Sequence, residues 1–294
     1  MAERSIFDPL VPAGAYDEFA VTAAPASAAQ RAWSPDDGAL PALYIGHGAP
    51  PLLDDATWMT QLASWAHAMP KPRGVMIVSA HWEAAPLMLS APGAGTRLVY
   101  DFGGFQPRYY TLTYPTPDAS SLAREVAGLM PAGSPAHQHP SRGLDHGAWV
   151  PLKVMYPLAD VPALQLSIPT SDPHALVALG ARLRPLRESG VLVIGSGFLT
   201  HGLPFITADM VYGYAVPGWS SDFDLWAADA LARGDVETLA RFRRAPGMPY
   251  AHPTADHFLP LFVTLGAAAN PEAPADTVID GYWMGLAKRS FQVA

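Results

Sequence analysis

Cysteine is absent from the chain. That removes disulfides, thiolate nucleophiles and every sulfur-rich metal site, so any metal must rest on nitrogen and oxygen ligands. Basic residues are scarce: 18 Lys and Arg stand against 26 Asp and Glu, a formal net charge of −8. Nucleic-acid surfaces draw on clustered Lys and Arg, and membrane-surface helices on basic runs, so neither partner is expected. No stretch reaches the roughly 18 apolar residues of a membrane span. The N-terminus lacks the basic-then-apolar pattern of a secretory signal, which leaves the cytoplasm as the expected location. The dinucleotide fingerprint G-x-G-x-x-G and the nucleophile elbow G-x-S-x-G are both missing; these absences argue against a Rossmann cofactor site and an α/β-hydrolase serine.

What is plentiful is apolar residues, 50% of 294, enough for a well-buried core. Composition shows no break after about residue 40. Residues 39–294 therefore read as one domain, preceded by an Ala-, Pro- and Ser-rich extension over residues 1–38. A disordered tail and a packed arm both fit that extension; Phe7, Tyr16 and Phe19 would pin an arm to the body.

Short apolar runs predict strands over 41–45, 74–79, 87–90, 163–168 and 191–194. Helical spacing predicts helices over 56–69, 120–130, 173–186, 220–233, 236–243 and 258–269. Strands alternating with helices imply parallel pairing with crossovers. The predicted fold is α/β: one domain with a central mostly parallel or mixed sheet flanked by helices. Ligands of such sheets bind at the C-terminal ends of the strands.

Histidines occupy those ends. His47, His81 and His201 each follow an apolar run and a turn of small residues, a setting that lets a ligand approach. One such histidine is more often structural; three in the same setting point to a metal. Neutral imidazole suits zinc and iron. Glu83, Asp256 and Asp145 are candidates to hold the other ring nitrogen of an imidazole.

Six motifs, in order over about residues 41–290, carry a resemblance. They are Gly46-His47-Gly48-Ala49-Pro50, Ser79-Ala80-His81-Trp82, Tyr100-Asp101-Phe102-Gly103-Gly104-Phe105, Leu144-Asp145-His146-Gly147, Gly195-Ser196-Gly197-Phe198-Leu199-Thr200-His201 and His252-Pro253-Thr254-Ala255-Asp256-His257. The set resembles the class III extradiol ring-cleavage dioxygenases, in particular the DOPA 4,5-dioxygenase-like subgroup. The resemblance implies non-haem Fe(II), with O2 and a small catechol-type aromatic diol (DOPA-like or related) as substrates and a muconic semialdehyde-type product. It matches His47 and His81 to two metal ligands and His257 to the third, with His252 competing for that place. Many relatives carry a Glu at the third position; three imidazoles also describe a zinc site, so Zn(II) in purified protein is compatible. His201 matches the acid–base histidine and His146 a second pocket histidine that holds the substrate. Trp82, Tyr100 and Phe102, with Phe105, would wall the ring, and Arg97, Arg108 or Arg142 would meet its tail. A homodimer is compatible with all of this. Two other readings stand beside it: a zinc-dependent hydrolase, and a non-enzymatic partner-binding protein on the same fold.

Overall fold

Alternation along the strands decides the architecture. Leu43 and Ile45, Val75 and Ile77, and Leu192 and Ile194 are fully buried; so are their neighbours Ala42 and Tyr44, Met76 and Val78, and Val191 and Val193. Successive side chains of a strand point to opposite faces, so a sheet apolar on both must be covered on both. The first set belongs to one core cluster and the second to another. In the computed structural model, which describes residues 14–294, these clusters are the two halves of a layered α/β domain.

Among the described residues the strands are β1 (Ala42–Gly46), β2 (Gly74–Glu83), β3 (Met88–Leu89), β4 (His137–Gln138), β5 (Ala163–Ile168), β6 (Val191–Gly197), β7 (Asp276–Ile279), β8 (Tyr282–Trp283), β9 (Leu286–Ala287) and β10 (Ser290–Val293). The main sheet has the order β4-β3-β5-β2-β6-β1-β10-β7, and β8 with β9 forms a separate hairpin. Its central four strands are parallel. β10 joins β1 antiparallel and β7 joins β10 antiparallel, which makes the sheet mixed.

The helices are α1 (Ala15–Ala29), α2 (Ala56–Ala68), α3 (Ser120–Leu129), α4 (His146–Met155), α5 (Pro173–Glu188), α6 (Ala208–Tyr212), α7 (Gly218–Ala232), α8 (Val236–Ala240) and α9 (Pro260–Ala267). On one face α2 packs Trp58 and Leu62 and α4 packs Trp149 and Leu152 against the sheet. On the other, α3, α5 and α9 supply Leu122, Leu179 and Phe262. The caps agree with the sequence: Asp55 accepts the Trp58 N–H at 2.9 Å, and Asp172 accepts the His174 N–H at 3.0 Å before Pro173 opens α5.

Three differences from the predicted elements bear on the site. β2 runs on past Ser79 to Glu83, so His81 lies within a strand rather than after one. The last helix opens at Pro260, not near His257; Ala255 to Leu259 are wound in tight turns, with the Phe258 N–H on the Ala255 carbonyl at 2.9 Å. Phe258 and Leu259 are as buried as the helix that follows, so the apolar run gives no sign of where the helix opens. The strands β7 to β10 were not predicted, being at most four residues each. Within the N-terminal extension, α1 is a helix whose Tyr16 and Phe19 pack against the α2–α4 core, Tyr16 donating to the Lys153 carbonyl at 3.0 Å. Phe7 lies outside the described residues.

Candidate metal centre and its pocket

The C-terminal ends of β1, β2 and β6 converge on one point. His47 follows β1 directly, and the turn beyond it needs Gly48, whose φ is +57°. His81 sits past a break in the β2–β5 register between Val78 and Glu83. His146 is the first residue of α4. Gly147 beside it lets the helix start press on the site: a Cβ there would lie 3.1 Å from the His47 ring and 3.1 Å from the His81 ring. His257 is drawn in by its backbone. Its carbonyl accepts the Tyr44 hydroxyl at 3.0 Å and the Phe198 N–H at 3.1 Å, and a Cβ on Gly197 would collide with it.

Ligand atoms of His47, His81 and His146 lie within 4.8 Å of one another, as do those of His201, Asp256 and His257. The closest approaches cut across these two groups. His47 Nε2 is 3.0 Å from His81 Nε2, and His257 Nε2 is 3.1 Å from the same atom. The other ring nitrogens say what those three atoms carry. The Ser196 hydroxyl donates to the Gly147 carbonyl, so its oxygen is left to accept from His47 Nδ1 at 3.0 Å. His257 Nδ1 donates to Asp256 at 2.5 Å, and His81 Nδ1 faces Asp101 at 3.3 Å. Protons on Nδ1 of His47 and His257, and on the Asp101 side of His81, leave three bare Nε2 lone pairs, with that of His81 facing the other two. Three lone pairs face to face repel unless a cation lies between them. Nitrogens about 2.1 Å from one ion stand about 3 Å apart when their bonds are near right angles, so the spacing fits a metal.

Burial keeps these rings neutral. It pushes His47 and His257 well below the usual histidine pKa, with the neighbouring imidazoles adding to the shift. His81 falls to about 3, from burial and then His146. His201 also falls to about 3 through burial, although Asp256 opposes the shift. Its ring stacks on His257 with centroids 3.3 Å apart and planes 13° apart. Asp101 accepts from His146 Nδ1 at 2.7 Å while its other oxygen faces His81. Burial, the largest single effect, would raise the Asp101 pKa, but the His146 hydrogen bonds and the His146 and His81 charges together bring the net shift down. One carboxylate thus orients two rings. Above the histidines opens a cavity of about 300 Å3, bounded by His81, His146 and His201 at its floor and by Phe102, Phe198 and Trp283 at its sides. The bare nitrogens and the cavity together describe a metal site with room for guests.

The pattern for the catalytic LigB subunit of aromatic ring-opening dioxygenase matches residues 49–281. The chain is 36% identical over 262 residues to a 4,5-DOPA dioxygenase extradiol of Beta vulgaris, covering 85% of this chain and 94% of that one. It is 32% identical to the Escherichia coli K12 protein of the same description, over 86% of this chain and 94% of that one. A crystal structure of an uncharacterised Escherichia coli K12 protein superposes with a TM-score of 0.72 at 29% identity, over 87% of this chain and all of that one. The chain belongs to the class III extradiol dioxygenase family. It is an extradiol ring-opening enzyme, and it holds a histidine cluster of the kind that could bind the metal of such a dioxygenase.

The dioxygenase site gathers His47, His81, His146, His201 and His257, and leaves other predicted residues outside. His252 stands apart: its Nε2 meets the Leu199 carbonyl at 2.8 Å and its ring packs on Phe223 at 5.0 Å, among core aromatics. Trp82 is buried under Arg142, whose guanidinium lies 4.7 Å above its ring, and does not line the cavity. Tyr100 likewise is spent on structure, donating to the Leu112 carbonyl at 2.6 Å. Glu83 is exposed and reaches no ring. Asp145 does not hold His146; it accepts from Ser79 at 2.8 Å, from Gln165 and from Arg142 at 3.2 Å. Arg108 is taken by Asp54 at 2.5 Å, and neither it nor Arg97 or Arg142 lines the cavity. Sequence reading missed Asp101 and Ser196 as ring holders and Phe198, Trp283 and Met284 as walls. Ser196 lies five positions before His201 in the same motif, but its hydroxyl serves His47.

Proposed function

We propose that the enzyme opens a catechol-type ring beside its two hydroxyls, using O2 and a non-haem Fe(II) held by His47, His81 and His257, to give a muconic semialdehyde-type product. The observation that carries this reading is the meeting of three bare Nε2 atoms beneath a cavity walled by aromatics. When bound, the metal brings diol and O2 together and lowers the hydroxyl pKa.

The chain's own groups do the rest. His201 is neutral at pH 7, stacked against His257 and open to the cavity, so it is placed to take a hydroxyl proton and return it later. His146 is locked by Asp101 with its proton on Nδ1, which leaves Nε2 as an acceptor for the second hydroxyl. Phe102 stands edge-to-face with His146 at 5.5 Å and gives the cavity an apolar wall. Because α1 does not reach the cavity, nothing among the described residues supports a blocked, non-catalytic site.

The relatives' names make DOPA a first probe, with plain catechol beside it. The test is O2 uptake and yellow product after anaerobic loading with Fe(II), with Zn(II) as the parallel sample. Turnover with iron supports the reading. No O2 uptake over a broad catechol panel, together with zinc-dependent hydrolysis, would replace it with the hydrolase.

A further inference from the structure

The open side of the cavity differs in character from its floor. The polar side chains that line the cavity are His81, Asp101, His146 and His201. Apolar lining comes from Leu203 and Ile206 in the segment after His201, and from Trp283, Met284 and Leu286 of the β8–β9 hairpin. Among the described residues no Lys or Arg lines the space, and the charge present is that of Asp101. The apolar character continues outward, where Leu203 is 44% and Phe205 37% exposed.

The hairpin is built for this wall at a conformational cost. Met284 has φ +50° and Gly285 φ +71°, the two-residue turn in which both positions are left-handed. Asn, Asp or Gly is the ordinary choice at the first of them, and a long side chain rarely adopts that backbone. Gly285 is required by packing, since a Cβ there would meet the Ala215 carbonyl at 2.7 Å and the Met210 side chain at 2.8 Å. Met284 is not required by the turn at all. A strained residue that points into a binding cavity is a sign of selection for what it touches.

We propose that this enzyme is built for vicinal diols whose ring substituent is apolar and uncharged, with Met284, Trp283, Leu203 and Ile206 as the specificity-determining wall. The proposal rests on the reading in the preceding subsection. A carboxylate on the substituent would be desolvated against these side chains with no cation to pair with and with Asp101 nearby. An alkyl group would bury its surface there.

The experiment compares kcat/KM for catechol, 4-ethylcatechol and 3,4-dihydroxyphenylacetate with Fe(II)-loaded enzyme. The ethyl compound should exceed the carboxylate by about tenfold or more, the range set by one or two methylenes in an apolar pocket. Leu203→Arg, at an exposed position on the rim, should raise the carboxylate-to-ethyl ratio by about two- to fivefold, the size of one exposed charge pair. Met284→Asn relieves the turn, so its melting temperature should hold or rise while the ethyl-to-unsubstituted ratio falls; a purely structural methionine would not move that ratio. If 3,4-dihydroxyphenylacetate matches or exceeds 4-ethylcatechol, the inference is overturned while ring cleavage stands. If none of the three diols is consumed, ring cleavage of catechols falls and the inference falls with it.

Discussion

The hydrogen bonds behind the imidazoles are where single residues matter most. Ser196 and Asp256 each fix a proton on Nδ1 and so free an Nε2 for the proposed metal. Ser196→Ala and Asp256→Asn should keep the fold and weaken metal affinity by about 10- to 100-fold, measured by chelator competition. Unchanged affinity in both would mean the rings are oriented by packing alone. His201→Ala removes a group that stacks on His257 but bonds no other ring. It should keep the metal and lose about 10²- to 10⁴-fold in kcat; loss of the metal would move His201 into the ligand set. At this scale the sequence was legible where a motif carried a residue into the cavity, as with His81, His146 and His201, or against its floor, as with His47. It was not legible where the partner is distant along the chain. Asp145 adjoins His146 in sequence, yet Asp101, 45 positions away, holds its ring. Adjacent residues at a helix start diverge, and a strand-end loop brings remote ones together.

Elements place these residues, and two glycines set how closely. A methyl group on Gly197 meets the His257 carbonyl and the Tyr44 hydroxyl. Gly197→Ala should therefore destabilise the protein by about 1–3 kcal/mol and displace His257, seen as a lower melting temperature together with lower metal content. A stable variant with full metal content would show that the β6 end is more forgiving than its packing implies. The central strands were legible because both faces are apolar and the runs are long. The hairpin β8–β9 was not, since two-residue strands carry no period, and it is the hairpin that brings Trp283 and Met284 to the cavity. His257 was found through its motif although the helix expected to begin there opens later, at Pro260.

The whole molecule carries the cost of burying neutral imidazoles. His81 and His201 have folded pKa values of about 3 against an ordinary 6.5. Between those values the unfolded chain binds protons that the folded one refuses, so folding stability is full above pH 6.5 and falls as pH drops toward 3. The slope is at most about 1.4 kcal/mol per pH unit for each such group. Metal-free protein should lose melting temperature steadily from pH 6.5 to 4; a flat profile would show that the rings are hydrated enough to charge in place. The described residues hold no helix long and apolar enough to cross a membrane, in keeping with the absence of any long apolar run.

The most direct measurement is metal content after anaerobic loading with Fe(II), compared across five alanine variants by elemental analysis. The expected result is loss of the ion in His47→Ala, His81→Ala and His257→Ala, with His146→Ala and His201→Ala retaining it. Full metal content in His257→Ala, with loss in His146→Ala, would contradict the site described above.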